Sequence, residues 1–142
     1  MQYSHRLRIV NWEDEAPALR MIRTAVFIHE QRVPEDLEWD EFDAISTHVL
    51  ALNSDGQPVG TVRLLPDGHV GRMAVLKEWR GIGIGSAMML KVLEEISNRG
   101  IPEAMLNAQT AAVRFYEKFG FQAYGKEFMD AGIAHVKMIL PR

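Results

Sequence analysis

Apolar and polar residues alternate from Leu7 to Trp12, which predicts a first strand. Asp14 is the expected N-cap of the following helix, with Glu15 and Pro17 in its first turn. Leu19, Ile22, Ala25 and Val26 then recur at three-and-four spacing, which predicts a helix to about Ile28. Val33-Pro34 breaks it, because the residue before a proline is pushed out of the helical region. Thr47 to Leu52 and Val59 to Leu65 read as two strands around the turn Asn53-Ser54-Asp55-Gly56, a hairpin. Pro66-Asp67-Gly68 turns again into a strand from His69 to Leu76. A helix is predicted from Ser86 to Arg99, with Ala87, Leu90, Val92, Leu93 and Ile96 on its buried face and Gly100 as its stop. Pro102 to Ala108 is apolar enough for a central strand. Ala111 to Phe119 predicts a helix closed by Gly120. A strand beginning at Phe121 and a last one from Ala134 to Leu140 flank the turn Asp130-Ala131-Gly132. The order of elements predicts a mixed α/β sheet with helices on its faces, and a length of 142 residues predicts one domain over 1–142.

One stretch departs from this patterning. Glu30, Glu35, Asp36, Glu38, Asp40, Glu41 and Asp43 crowd into fourteen positions against Arg32 alone. Leu37, Trp39 and Phe42 supply apolar anchors, so a short helix or ordered loop lying over the body is expected. Its charge either draws a cationic amine to a cleft or is a solvated face. A chain without cysteine has no disulfide, thiolate metal site or cysteine nucleophile. The histidines His5, His29, His48, His69 and His135 lack ligand-type spacing, so no metal is expected. A net charge of −3 gives no support for nucleic-acid binding. No apolar run reaches the roughly 20 residues that cross a bilayer, and the first residues lack the apolar core of a signal peptide. No membrane partner and a cytoplasmic location are the default expectations.

The chemistry concentrates in Arg80-Gly81-Ile82-Gly83-Ile84-Gly85-Ser86, between an apolar strand and a helix. Alternate glycines let the backbone turn tightly and approach a ligand, and the free N–H groups at the helix start suit an anion, most often a phosphate. No lysine follows Gly85, so a Walker A loop is excluded, and Ser86 stands where a dinucleotide fingerprint needs its third glycine. Arg80, Gly83 and Gly85 fit R-x-x-G-x-G and resemble the pyrophosphate loop of the GNAT superfamily of acyl-CoA-dependent N-acetyltransferases. Residues 109–121 resemble the second GNAT motif, N-x-x-A-x-x-F-Y-E-K-x-G-F: Ala112, Phe115, Tyr116, Glu117, Lys118, Gly120 and Phe121 match, and Gln109 replaces asparagine. Val26 to Pro34, Thr47 to Ala51 and Phe128 to His135 are similar to small bacterial GNAT proteins of the ElaA type.

The resemblance implies the GNAT fold, a mixed and mostly antiparallel sheet with helices on both faces, and acetyl-CoA as co-substrate. It implies that the backbone from Arg80 and Gly81 through Ile82, Gly83, Ile84, Gly85 and Ser86 holds the pyrophosphate. It implies that the pantetheine arm pairs with the strand edge Met73-Ala74-Val75, an N–H of Ala74 or Val75 facing the thioester oxygen. The strand ending near Asn107 forms the other wall, joined by Gln109, Ala112 and Phe115. Tyr116 is the expected acid, since a phenol within reach stabilises a leaving thiolate. A cationic amine must lose a proton before attack, and Glu30, Glu41, Asp43, His48 and His135 are candidates to accept it. Arg63, Arg72 and Lys118 either meet the 3′-phosphate or are surface charges, while Arg80 adds positive charge at the mouth.

Direct attack in a ternary complex is expected, because no cysteine can carry the acyl group. The acceptor, a small-molecule or peptide amine, stays open. A non-catalytic acyl-CoA-binding sensor or regulatory module is the alternative. A homodimer through Trp39 or the C-terminal strands is expected from resemblance.

Overall fold

The computed structural model describes residues 5–141. Seven strands form one sheet in the order β1-β2-β3-β4-β5-β7-β6. The strands are β1 (His5–Val10), β2 (Thr47–Asn53), β3 (Pro58–Leu64), β4 (His69–Val75), β5 (Ala104–Gln109), β6 (Gln122–Asp130) and β7 (Ile133–Leu140). Every neighbouring pair is antiparallel except β4 and β5, so the sheet is mixed and mostly antiparallel as expected.

Helices cover both faces. The first is α1 (Trp12–Arg23), continued by a π-helical segment (Thr24–Glu30). It buries Leu19, Ile22, Val26 and Phe27 against Leu50, Leu52 and Ala74. The opposite face carries α3 (Ile84–Asn98), whose Ile84, Met88, Met89, Val92 and Ile96 pack on Val49, Ala51, Val62, Leu106 and Met138. Ile84, Met88, Val92 and Ile96 step by four with Met89 beside them, and Leu90, expected inside, is 60% exposed. Two short helices complete the set, α2 (Glu35–Glu38) in the acidic segment and α4 (Val113–Glu117) after a 3₁₀ turn at Thr110–Ala112. No described helix is long and apolar enough to cross a membrane.

Several local expectations shift. Asn11, not Asp14, caps α1: its Oδ1 accepts from the Asp14 N–H at 2.8 Å, so β1 ends at Val10 and Trp12 is already helical. The first helix ends as a regular helix at Arg23, and the widened π turns carry the chain on past Ile28. The helix expected from Ala111 to Phe119 forms only in its middle.

Two features of β4 set up the site. β4 and β5 are in register only at His69↔Met105 and Val70↔Leu106, and beyond these pairs they part. The register of β4 on β3 also slips between Thr61↔Ala74 and Arg63↔Gly71, which places an extra residue on β4 at Arg72, whose φ is +50°. The bulge reverses the alternation of faces. Val70 before it joins the core under α3, whereas Ala74 after it joins the core under α1.

Candidate active site

The parting of β4 and β5 opens a cavity of about 1040 Å³ that passes through the sheet. Gly68 lies behind it, where the two strands are still joined. The Met105 N–H donates to the Gly68 carbonyl at 3.1 Å, and a β-carbon at Gly68 would stand 2.0 Å from the Glu103 carbonyl oxygen. Only glycine lets the two strands meet here.

The glycine loop forms the rim at the open end. Gly81 and Gly83 have φ of +79° and +92°, and a β-carbon on either would meet nothing within 4 Å. Backbone conformation therefore requires these glycines, and the space over them is left to a ligand. Gly83 is the N-cap of α3 and no side chain caps this helix, so the amides of Ile84, Gly85 and Ser86 stay available to an anion. The Ile84 side chain is buried at 1% exposure, which leaves only its backbone for binding. Gly85 rests on Phe115, where a β-carbon would lie 3.6 Å from the ring.

Of the residues singled out from the sequence, Met73, Ala74, Val75, Arg80, Gly81, Gly83, Ile84, Gly85, Ser86, Asn107, Gln109, Ala112, Phe115 and Tyr116 all line this cavity; Ile82 does not. The Leu76 N–H donates to Val59 at 2.9 Å. Antiparallel alternation then turns the Ala74 amide toward β3 and the Val75 amide toward the opening.

Arg80 is not a free charge. Its guanidinium grips Glu30 with two bonds of 2.7 and 2.6 Å, and its Nε donates to the Val75 carbonyl at 2.9 Å. The hydrogen bond to Arg80 holds Glu30 below the usual carboxylate range, and the same bond raises Arg80. Arg80 thus ties the loop to the π-helical segment and to the end of β4.

Arg63 and Arg72 line the cavity as paired charges, not as free surface cations. With Arg23 they meet Glu38, Asp40 and Asp43 in one network. Arg23 bonds Glu38 and Asp43 at 2.7 Å each, Arg63 bonds Asp40 at 2.8 Å and Asp43 at 3.1 Å, and Arg72 reaches Glu38 at 3.2 Å and Asp40 at 3.3 Å. Arg23, 1% exposed, also lies over Trp12 and Trp39 at 5.4 and 5.0 Å. The centre of the acidic segment is therefore neutralised, neither a solvated face nor free to attract a cation. Burial raises Glu38 more than Arg72 and Arg23 lower it. Burial would raise Asp43 too, but the bonds from Arg23 and Arg63 outweigh it and hold Asp43 low. Trp39 is half-buried beside this cluster, its ring 6.3 Å from that of Trp12. Lys118 remains exposed on the cavity wall, its Nζ 6.0 Å from the Phe115 ring centre.

Tyr116 stands on the α3 side of the opening, edge-on to Phe115 at 5.1 Å and Phe121 at 6.3 Å. Its hydroxyl has no hydrogen-bond partner among the described residues. Burial pushes the phenol up to about 12, so it stays protonated across the working pH range.

The five candidate proton acceptors separate cleanly. Glu30 is tied to Arg80, Asp43 to Arg23 and Arg63, and neither lines the cavity. His48, 1% exposed, donates from Nε2 to the Asp43 carbonyl at 3.0 Å, and burial lowers its pKa. Glu41 lies outside the cavity. His135 lines it. The motif also left Gln31 unnoticed: its Oε1 accepts from Gln109 Nε2 at 2.8 Å and bridges the π-helical segment to β5. A lone glutamine after a helix carries no sequence signal of that kind.

An uncapped helix start thus opens onto a gap between two parallel strands, a shape that suits an extended ligand with an anionic end. Comparison with known proteins names the class. Residues 13–141 match the acetyltransferase (GNAT) domain family, and the chain belongs to that family. It is 38% identical over 122 residues to the uncharacterized N-acetyltransferase YjcF of Bacillus subtilis, covering 83% of this chain and 86% of YjcF. It is 28% identical over 147 residues to ElaA of Escherichia coli, covering 92% and 95% of the two chains. The crystal structure of ElaA superposes with a TM-score of 0.85 at 26% identity, over 96% of this chain and 99% of ElaA. An acyl-CoA N-acyltransferase from Pseudomonas aeruginosa superposes with a TM-score of 0.86 at 28% identity, over 96% and 99%. The fold is thus the GNAT fold, and the protein is a GNAT-type N-acetyltransferase similar to ElaA.

Proposed function

We propose that this chain transfers the acetyl group of acetyl-CoA to an amine by direct attack in a ternary complex. The observation that carries the reading is the uncapped, glycine-built head of α3 opening onto the gap between β4 and β5, with Tyr116 on its wall. The amides of Ile84, Gly85 and Ser86 would hold the pyrophosphate, and Lys118, exposed on the cavity wall, would meet the 3′-phosphate. The freed edge of β4 would pair with the pantetheine arm as an added strand. The Val75 N–H would donate to the thioester oxygen as negative charge grows there. Tyr116 would donate a hydrogen bond to the departing sulfur. Burial that lifts the phenol lifts a thiol beside it too, since both ionise to anions, so donor and leaving group stay comparable in acidity. A homodimer belongs to the same reading, with the exposed edge strand β6 as its contact.

The test pairs binding with turnover. Calorimetry should show acetyl-CoA binding in the micromolar range, and Gly83→Asp, which sets a carboxylate over the loop, should abolish it. Tyr116→Phe should keep that affinity and lose thiol release about 100-fold. A Tyr116→Phe enzyme at wild-type rate would remove the acid, and a wild type that binds acetyl-CoA without transferring it to any amine would be a sensor instead.

A further inference from the structure

The cavity has two sides, set by the pleat of the strands that wall it. Ala104, Leu106 and Ala108 of β5 and Val136 and Met138 of β7 point into the core under α3. Residues between them point to the other face, under α1. Gln109 and His135 are direct partners across β5 and β7, so both side chains project on the α1 side, where Gln109 bonds Gln31. Tyr116 packs with the core on the α3 side.

His135 is held in one tautomer. Its Nδ1 lies 2.7 Å from the Ile133 carbonyl, and a carbonyl only accepts, so the proton is on Nδ1. Nε2 is then a lone-pair acceptor, and no described residue bonds to it. The ring stacks on Phe128 at 5.9 Å and 23°, which fixes its plane. The Ile133 carbonyl also steadies the imidazolium once Nε2 gains a proton.

Register places this nitrogen at the right height. Val70 and Leu106 are the last paired residues of the parallel strands. Met73 and Gln109 each lie three residues further, about 10 Å along the strands. His135, opposite Gln109, is therefore level with the freed edge of β4. His69 also lines the cavity and bonds Asp67 at 2.8 Å, but it starts β4 where the two strands are joined, about 20 Å along the strand from Val75.

We propose that His135 is the proton acceptor for the attacking amine, which reaches the thioester from the α1 face while the sulfur departs toward Tyr116 on the α3 face. The inference rests on the acetyl-transfer reading above. His135 Nε2 takes one proton from the ammonium, and the freed lone pair forms the N–C bond at the carbonyl carbon. The C–S bond breaks with its pair going to sulfur. The second proton shed by nitrogen is the one the thiol carries away, and His135 returns the first to solvent. The charged groups around the ring are few. Lys137 shares its strand and face, Asp130 lies across the hairpin, Lys126 and Glu127 stand in the β6 bulge, and Arg72 and Asp40 line the cavity from the far bank. Gln109 and Gln31, packed nearest on the β5 side, are uncharged.

The experiment uses the full chain, acetyl-CoA, and three primary amines as probes: 2-phenylethylamine, spermidine and an alanine-initiated tripeptide. Thiol release is followed against pH for wild type, His135→Gln and His135→Ala, with calorimetric acetyl-CoA affinity measured on each. The expected result is unchanged affinity, an approximately 100-fold lower kcat in both variants, loss of the acid limb of the pH profile, and partial rescue of His135→Ala by added imidazole. Variants within twofold of wild type, or an acid limb that survives in His135→Gln, overturn the assignment. So does a wild type that binds acetyl-CoA and acetylates none of the three amines, which leaves the cofactor reading standing. Failure of wild type to bind acetyl-CoA would instead remove the acetyl-transfer reading itself.

Discussion

Tyr116 shows how one residue carries two consequences of a single environment. Its phenol is pushed up to about 12 by burial, against 10.0 for a free phenol. In the proposed reaction it would therefore keep its proton far into alkaline pH. In folding the sign is unfavourable at high pH. The unfolded chain releases this proton near 10 while the folded chain still holds it, so stability is intact below 10 and falls as pH rises toward 12. In an absorbance titration for phenolate, Tyr116→Phe should remove the step near 12, and alkaline unfolding of that variant should lose part of its pH dependence. A phenolate step near 12 that persists in the variant would show that burial does not hold this group. Tyr116 was legible in the sequence because its motif is local. Arg23 was not: it reads as an ordinary polar position on α1, and its partners Glu38 and Asp43 stand 15 and 20 residues away. Nothing in the spacing of the acidic run pointed to arginines so far away in the chain.

At the scale of elements, the succession of strands along the chain and the loop were readable from periodicity and glycine spacing, and the arrangement of the sheet only through the family resemblance, whereas the opening between β4 and β5 depends on how two strands meet. Gly68 decides that meeting. A β-carbon there collides with the Glu103 backbone, and φ of +101° is strained for any other residue. Gly68→Ala should destabilise the fold by about 3 kcal/mol in chemical denaturation, adding backbone strain to overpacking. Acetyl-CoA affinity should fall with it, because pushing the two strands apart at their junction changes the width of the gap between them. A change within 0.5 kcal/mol, the range of neutral surface substitutions, would mean the two strands tolerate separation at their base. The helix ends were less legible for a similar reason. The π turns after Arg23 and the shortened α4 answer to packing beneath them, which apolar spacing alone does not specify.

For the whole molecule, the sheet has one edge at β1 and the other at β6, and all nine residues of β6 are exposed, with Tyr124 at 64% and Met129 at 67%. Long exposed edges invite pairing, and the register slip between Tyr124 and Phe128 bends this one. Sedimentation equilibrium should give twice the chain mass of 16.1 kDa for a β6 dimer, and a value of 16.1 kDa would leave this edge to solvent. The other register slip, at Arg72, works on the molecule as a frameshift works on a message. One inserted residue leaves the letters on either side unchanged and reverses what each of them faces. Deleting Arg72 would remove one cation from a crowded network, but its larger effect would be grammatical. Every residue from Met73 to Val75 would be read by the wrong half of the protein.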